Sequence, residues 1–328
     1  MADRPAATPP RAAGAPGTLG LPGENAEALL RRLEWSTIRR LDGWLQGDYR
    51  TLFRGEGLDL ADLREYQHHD DVRRIDWNVT ARLQEPYVRE YTEDRDIAAW
   101  FLLDLSPSVH FGSRRRSKAQ VGIEFTAVIA RLLARRGNRV GALLYGSRVD
   151  TVMPARGGKL QVLELLQRLM NRPAPTAMPQ GTRLSELLRT AQQQLRRRSL
   201  VFVLSDFFSQ PGWSEPLAML ALRHEVIAVR LYDPLEMELP DLGMVYIQDA
   251  ETGEQLMVDT HSAAFRKRFA GAARRREAEL RDGLAQAGVD TLELASDEDL
   301  ATSIVRFVHL RRQRSRLTAG SVAPRAHY

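Results

Sequence analysis

The chain of 328 residues carries 47 Lys plus Arg against 42 Asp plus Glu, a formal charge of +5, with 43% hydrophobic residues and no cysteine. That composition excludes wholesale disorder. The missing cysteine excludes disulfides, iron–sulfur clusters, thiolate zinc sites and cysteine nucleophiles, so any bound metal must be held by oxygen or imidazole. Residues 1–23, rich in Ala, Pro and Gly, read as a flexible tail without the apolar stretch of a signal peptide. Residues 25–45 place Leu29, Leu30, Leu33, Ile38 and Leu41 at helical spacing. Residues 48–96 are dense in charge and aromatics, with one strand expected over 86–91, and read as a small β-containing module whose Arg and Asp side chains pair with one another.

From Ile97 the pattern becomes apolar strands alternating with amphipathic helices. Strands are expected at 97–106, 140–147, 199–208, 225–232 and 291–294, with 149–153 as an antiparallel edge strand and 244–249 with 255–258 as a hairpin. Helices are expected over 117–136, 160–170, 184–195, 215–222, 262–287 and 298–312. This alternation predicts an α/β fold, a doubly wound, mostly parallel sheet with one antiparallel edge strand. The domain plan is 1–23 tail, 24–94 N-terminal helix and module, 95–312 α/β domain, and 313–328 basic tail. No apolar run reaches the ~18 residues of a membrane-crossing helix, and a cytoplasmic protein is expected.

The first buried strand ends in Asp104-Leu105-Ser106-Pro107-Ser108. Alternate residues on a strand-to-loop path share a side, so Asp104, Ser106 and Ser108 can converge as hard oxygen ligands, a set suited to Mg²⁺. Each also has a plain structural reading, in which the acid and serines cap the following helix and satisfy loop amides. Two further groups join them: Thr182, after Gly181 and before a helix, where it can also serve as the N-cap, and Asp206 at the end of the strand 199–208. Ligand sites in doubly wound sheets lie beyond the carboxyl ends of the strands, which is where these five residues would meet.

The order D-x-S-x-S, then Gly-Thr before a helix, then a strand-terminal Asp resembles the metal-ion-dependent adhesion site of von Willebrand factor type A domains, over about residues 95–312. The resemblance implies that Ser106 and Ser108 ligate a cation directly and that Thr182 does so directly or after rearrangement. Asp104 and Asp206 would act through bound waters. Mg²⁺ is the implied ion, with Mn²⁺ or Ca²⁺ as alternatives. The run from Gly55 to Asp96 is similar to the bacterial domain-of-unknown-function-58 family, through Gly55, Gly57, Arg64, Tyr66, Asp70, Asp71, Arg73, Arg74, Asp76, Trp77, Ala81, Arg82, Arg89 and Glu90. It departs from that pattern at His69 and at Val109-His110. The resemblance implies a partner of the MoxR-type AAA+ ATPase class.

Open cation chemistry of this kind attracts a carboxylate from a protein partner, so the expected role is a non-enzymatic, metal-dependent protein-interaction module, an adaptor for a MoxR-type ATPase or its client. The alternative is a Mg-dependent hydrolase on the same ion. His110 is the histidine near the site in sequence, but a single loop histidine is more often a surface or packing residue than a general base. His68-His69-Asp70-Asp71 reads as part of the module rather than a second metal site. Gly157-Gly158-Lys159 lacks the spacing of a phosphate loop. Basic clusters at Arg114–Arg116, Arg196–Arg198, Arg274–Arg276 and 311–316 are scattered without aromatic interleaving. They suggest no specific nucleic-acid partner, and fit a solvated surface, docking onto an acidic partner or peripheral contact with membrane headgroups.

Overall fold

In the computed structural model the described residues are 24–44, 62–66, 75, 77–83, 85–90, 98–113, 116–173 and 181–320. The first helix, α1 (Ala26–Leu33), is capped by Asn25, whose side chain accepts the Ala28 amide at 2.8 Å. It passes through a π-helical turn, Glu34–Ile38, into α2 (Arg39–Trp44). A two-stranded antiparallel pair follows, β1 (Asp62–Glu65) against β2 (Tyr87–Glu90), with α3 (Trp77–Leu83) between them. Most of the expected Arg–Asp pairing of this module, and the His68–Asp71 run, lie outside the described residues.

The main sheet contains β3 (Ala98–Asp104), β4 (Arg139–Tyr145), β5 (Val149–Arg156), β6 (Leu200–Ser205), β7 (Glu225–Tyr232) and β10 (Asp290–Ala295), in the order β10-β7-β6-β3-β4-β5. Every pairing is parallel except β4 with β5, so the expected antiparallel edge strand is present. Helices cover both faces: α4 (Lys118–Arg135), α5 (Lys159–Met170), α6 (Leu184–Gln194), α7 (Ser214–Ala221), α8 (Ala263–Ala287) and α9 (Leu300–Gly320). The hairpin β8 (Met244–Gln248) with β9 (Gln255–Asp259) leaves the chain between β7 and α8.

The strands read as unbroken apolar runs because both faces are buried, and their period of two sorts the side chains into two cores. Along β6, Leu200, Phe202 and Leu204 enter the core shared with α1, α4, α5 and α9, while Val201 and Val203 enter the core under α6, α7 and α8. Phe101 of β3 stacks on Phe202 at 5.1 Å, and Phe125 of α4 meets Phe202 edge-on at 5.7 Å.

Two boundaries differ from the sequence reading. Leu29, Leu30, Leu33, Ile38 and Leu41 belong to the sheet's own core, and Arg32 bonds Glu124 of α4 at 2.9 Å; the N-terminal helix therefore packs as a covering helix of the α/β layer. The last helix runs on past Arg312 to Gly320, into the stretch expected to be a tail. A helix carried by its anchored first turns needs no apolar face to continue, and periodicity alone misses that extension.

Candidate metal centre

The site forms where the central strands end. β3 and β6 are parallel neighbours with Leu103 opposite Leu204, so Asp104 and Asp206 leave the sheet at the same carboxyl edge. Asp104 is buried. Its Oδ1 accepts the Ser106 amide at 3.0 Å and its Oδ2 accepts the Ser205 hydroxyl at 2.6 Å. Those bonds steer the chain into a 3₁₀ turn, Pro107–His110, which sets the Ser106 and Ser108 hydroxyls 3.3 Å apart, both buried.

Asp206 accepts the Phe208 amide at 3.0 Å through Oδ1 and the Lys118 ammonium at 2.7 Å through Oδ2. Phe207, between them, has φ 59°, a left-handed conformation that costs a non-glycine residue about 1–2 kcal/mol. The cost is offset by its amide bond to the Ser205 hydroxyl at 2.8 Å and by ring packing on Trp213 at 5.2 Å. A strained residue held this firmly fixes the carboxylate before it.

Thr182 arrives from the other side of the edge. Gly181 has φ +67°, a conformation that glycine adopts without strain, and the turn it makes leads Thr182 inward to a buried position. The structural reading of Thr182 as an N-cap does not hold: Arg183 occupies that position with no side-chain cap bond. The Thr182 hydroxyl instead donates to Glu251 Oε1 at 3.0 Å, and the Ser108 amide donates to the same oxygen at 3.3 Å. Asp104, Ser106, Ser108, Thr182 and Asp206 are thus gathered at one end of the sheet, with Glu251, from the tip of the hairpin, bridging two of them.

Electrostatics mark the cluster as short of positive charge. Burial and then the charge of Asp206 push the Asp104 carboxyl up to about 7, against the hydrogen bonds from Ser205 and Ser106. Burial also raises Glu251 above the ordinary carboxylate range, outweighing its bonds to Thr182 and Ser108, and Asp206 adds to the rise. Among the described residues, Lys118 is fully buried between Asp206 and Glu236 and supplies a cation to the cluster. Burial works against its ammonium, but the two carboxylates outweigh that and hold it above its ordinary value.

Among the described residues no group of three or more His, Cys, Asp or Glu side chains is placed to hold a metal ion. The donors here are different: three buried hydroxyls with carboxylates beside them. That set fits a hard cation that prefers oxygen and keeps some of its waters, and an added positive charge would relieve the Asp104–Asp206 repulsion. His110 does not strengthen a hydrolytic reading, because burial, and then the nearby Arg172, lower its imidazole to about 4, too weak a base for work near neutral pH.

Sequence reasoning missed Lys118, Ser205, Glu236 and Glu251. Lys118 had a signal: a cation in the first turn of a helix opposes the helix dipole, a local rule broken where a site pays it back. Glu251 had none, since it lies in a polar turn that any hairpin would carry.

Among the described residues no helix is long and apolar enough to cross a membrane. The family model described as "Protein of unknown function DUF58" matches residues 62–279. Uncharacterized proteins of Mycobacterium tuberculosis and Mycobacterium bovis are each 37% identical over 288 residues, 87% of this chain and 90% of theirs. Among solved structures, an aerotolerance-related membrane protein from Bacteroides fragilis is 14% identical, covering 66% of this chain and 99% of its own at a TM-score of 0.43. The SpRpn10 VWA domain is 14% identical, covering 64% of this chain and 94% of its own at a TM-score of 0.33. On the family match and the mycobacterial relatives, the chain belongs to the DUF58 family of proteins of unknown function.

Proposed function

We propose that this protein is a metal-dependent protein-interaction module of the cytoplasm, an adaptor that engages a MoxR-type AAA+ ATPase or its client through a cation site of the von Willebrand type A kind. The observation that carries the reading is the convergence of three buried hydroxyls, from Ser106, Ser108 and Thr182, with the carboxylates of Asp104 and Asp206 at the carboxyl edge of the sheet. The hydroxyls would hold Mg²⁺, or Mn²⁺ or Ca²⁺ in its place, and the two carboxylates would orient its waters. Bound there, the ion supplies an electrophilic position for an acidic side chain.

Neutral hydroxyls leave the cation most of its charge, which favours capture of an anionic group such as a carboxylate. The rest of the site supports binding in the same way. Lys118 and the strained Phe207 hold Asp206 rigidly, and a rigid, preorganised donor set suits recognition. The test is affinity capture of a purified MoxR-type ATPase by the full chain and by Asp104→Ala, with Mg²⁺ and with a chelator. Capture is expected to need both Mg²⁺ and Asp104. Equal recovery by the two forms in Mg²⁺, or recovery by wild type undiminished in chelator, would sink the reading.

A further inference from the structure

Glu251 lies far from the site in sequence and is brought to it by the hairpin alone. Its Oε1 accepts from two of the site's own groups, the Thr182 hydroxyl and the Ser108 amide. Its Oε2 is buried and has no hydrogen-bond partner among the described residues. A buried, unpartnered carboxylate oxygen costs free energy, and here the charge of Asp206 acts on it as well. Nothing in ordinary loop packing rewards that arrangement. A cation among the hydroxyls would, because it gives Oε2 its partner and screens Asp206 from Glu251 and from Asp104.

The hairpin is constructed to present this residue. The Asp249 carboxylate accepts the amides of Glu251 and Thr252, each at 2.9 Å, and Gly253 closes the turn with φ +77°. At the base, Thr260 accepts from the Leu242 amide at 2.9 Å and donates to the Gly243 carbonyl at 2.7 Å. Between tip and base the ribbon is sparsely covered: Met244, Tyr246 and Met257, on one face, are 59%, 73% and 54% exposed. A two-stranded ribbon this bare is held down weakly, and Glu251 joins its tip to the edge of the sheet.

We propose that Glu251 is an acidic ligand supplied in cis: with a cation held by Ser106, Ser108 and Thr182, its carboxylate takes the position a partner's acidic side chain would take, so the hairpin closes the site and must swing away before a partner binds. This rests on the metal-dependent reading above. It adds that the resting protein is self-liganded and that a partner competes with its own hairpin.

The experiment uses the full chain loaded with Mn²⁺, with acetate as the exogenous carboxylate, comparing wild type, Glu251→Gln and, as a control on the same turn, Glu254→Gln. Glutamine keeps an acceptor for Thr182 and Ser108 but is a poor ligand. Expected is roughly tenfold weaker Mn²⁺ binding in Glu251→Gln, with paramagnetic relaxation of the acetate carbon appearing in that variant and absent in wild type and Glu254→Gln. Acetate relaxed equally in wild type and Glu251→Gln, or in neither, while Mn²⁺ is bound, would overturn the proposal and leave the metal reading standing. Failure of wild type to bind Mn²⁺ at all would overturn both. Hydrogen exchange of wild type gives a second, variant-free measurement: Mn²⁺ must slow exchange across residues 244–259, and unchanged exchange rejects cis ligation.

Discussion

Asp104 is the residue at which burial and charge act in the same direction. Both raise its carboxyl, to about 7, so in the metal-free protein it is a source of stress that a cation would relieve. Asp104→Asn removes the charge and keeps the shape and an acceptor for the Ser106 amide. Its metal-free stability should therefore stay within about 1 kcal/mol of wild type or rise, while the increase in melting temperature that Mg²⁺ gives wild type should disappear. Thermal scans of both forms with and without Mg²⁺ check this; a Mg²⁺-dependent increase retained in Asp104→Asn would contradict it.

Asp233 behaves in the opposite way. Burial works to raise its carboxyl, but bonds from the Ser296 hydroxyl at 2.6 Å and the Ser113 and Leu235 amides at 2.8 and 2.9 Å hold it below its ordinary 3.8. A depressed folded value means that the unfolded chain takes up its proton first as pH falls. The stabilisation is full above the ordinary value and is lost as pH falls through the folded one. Asp233→Asn should cost about 1–3 kcal/mol near neutral pH, and urea titrations should show that difference shrinking below pH ~4.

At the scale of the element, α4 both covers the sheet and positions Lys118. Its start is a reciprocal cap: the Ser117 hydroxyl accepts the Gln120 amide at 3.2 Å, and the Gln120 side chain accepts the Ser117 amide at 2.9 Å. Ser117→Ala should cost about 1 kcal/mol, with Ser117→Asp restoring most of it, measured as the shift in denaturation midpoint at unchanged slope. An intact α4 would then be seen to depend on its cap as well as on the apolar stripe from Val121 to Leu133. The strands and helices of the main sheet were legible from periodicity within a residue or two at most ends. β5 runs on to Arg156 and β6 stops at Ser205, each three residues from the expected end. Two larger exceptions follow from context: α9 runs to Gly320 without an apolar signal for its end, and the first helix reads as a separate piece until its leucines are seen in the sheet's core.

At the scale of the whole molecule, one sheet separates two cores, and Phe202 sits near the middle of the larger one, against Phe101 and Phe125. Phe202→Ala leaves a cavity that neighbours on paired strands cannot close, for an expected loss of about 3–5 kcal/mol. Because both cores share the strand, chemical denaturation should remain a single transition, and two transitions would show that the faces unfold independently.

The sequence by itself determined the layered sheet, its antiparallel edge, and Asp104 and Asp206 at its carboxyl end, because strand period and chain order are local properties that fix which residues stand at a strand's end. Ser106, Ser108 and Thr182 joined them through the motif's resemblance to a known site. Only the tertiary structure decided what meets them there. Lys118 reaches Asp206 across 88 positions, and Glu251 reaches Ser108 across 143. No local pattern encodes such pairings; they exist because parallel crossovers bring helix starts and an outlying hairpin to the same edge. The cysteine-free composition restricted any metal to oxygen or imidazole, and the fold assembled an oxygen set with one more carboxylate than the motif contains.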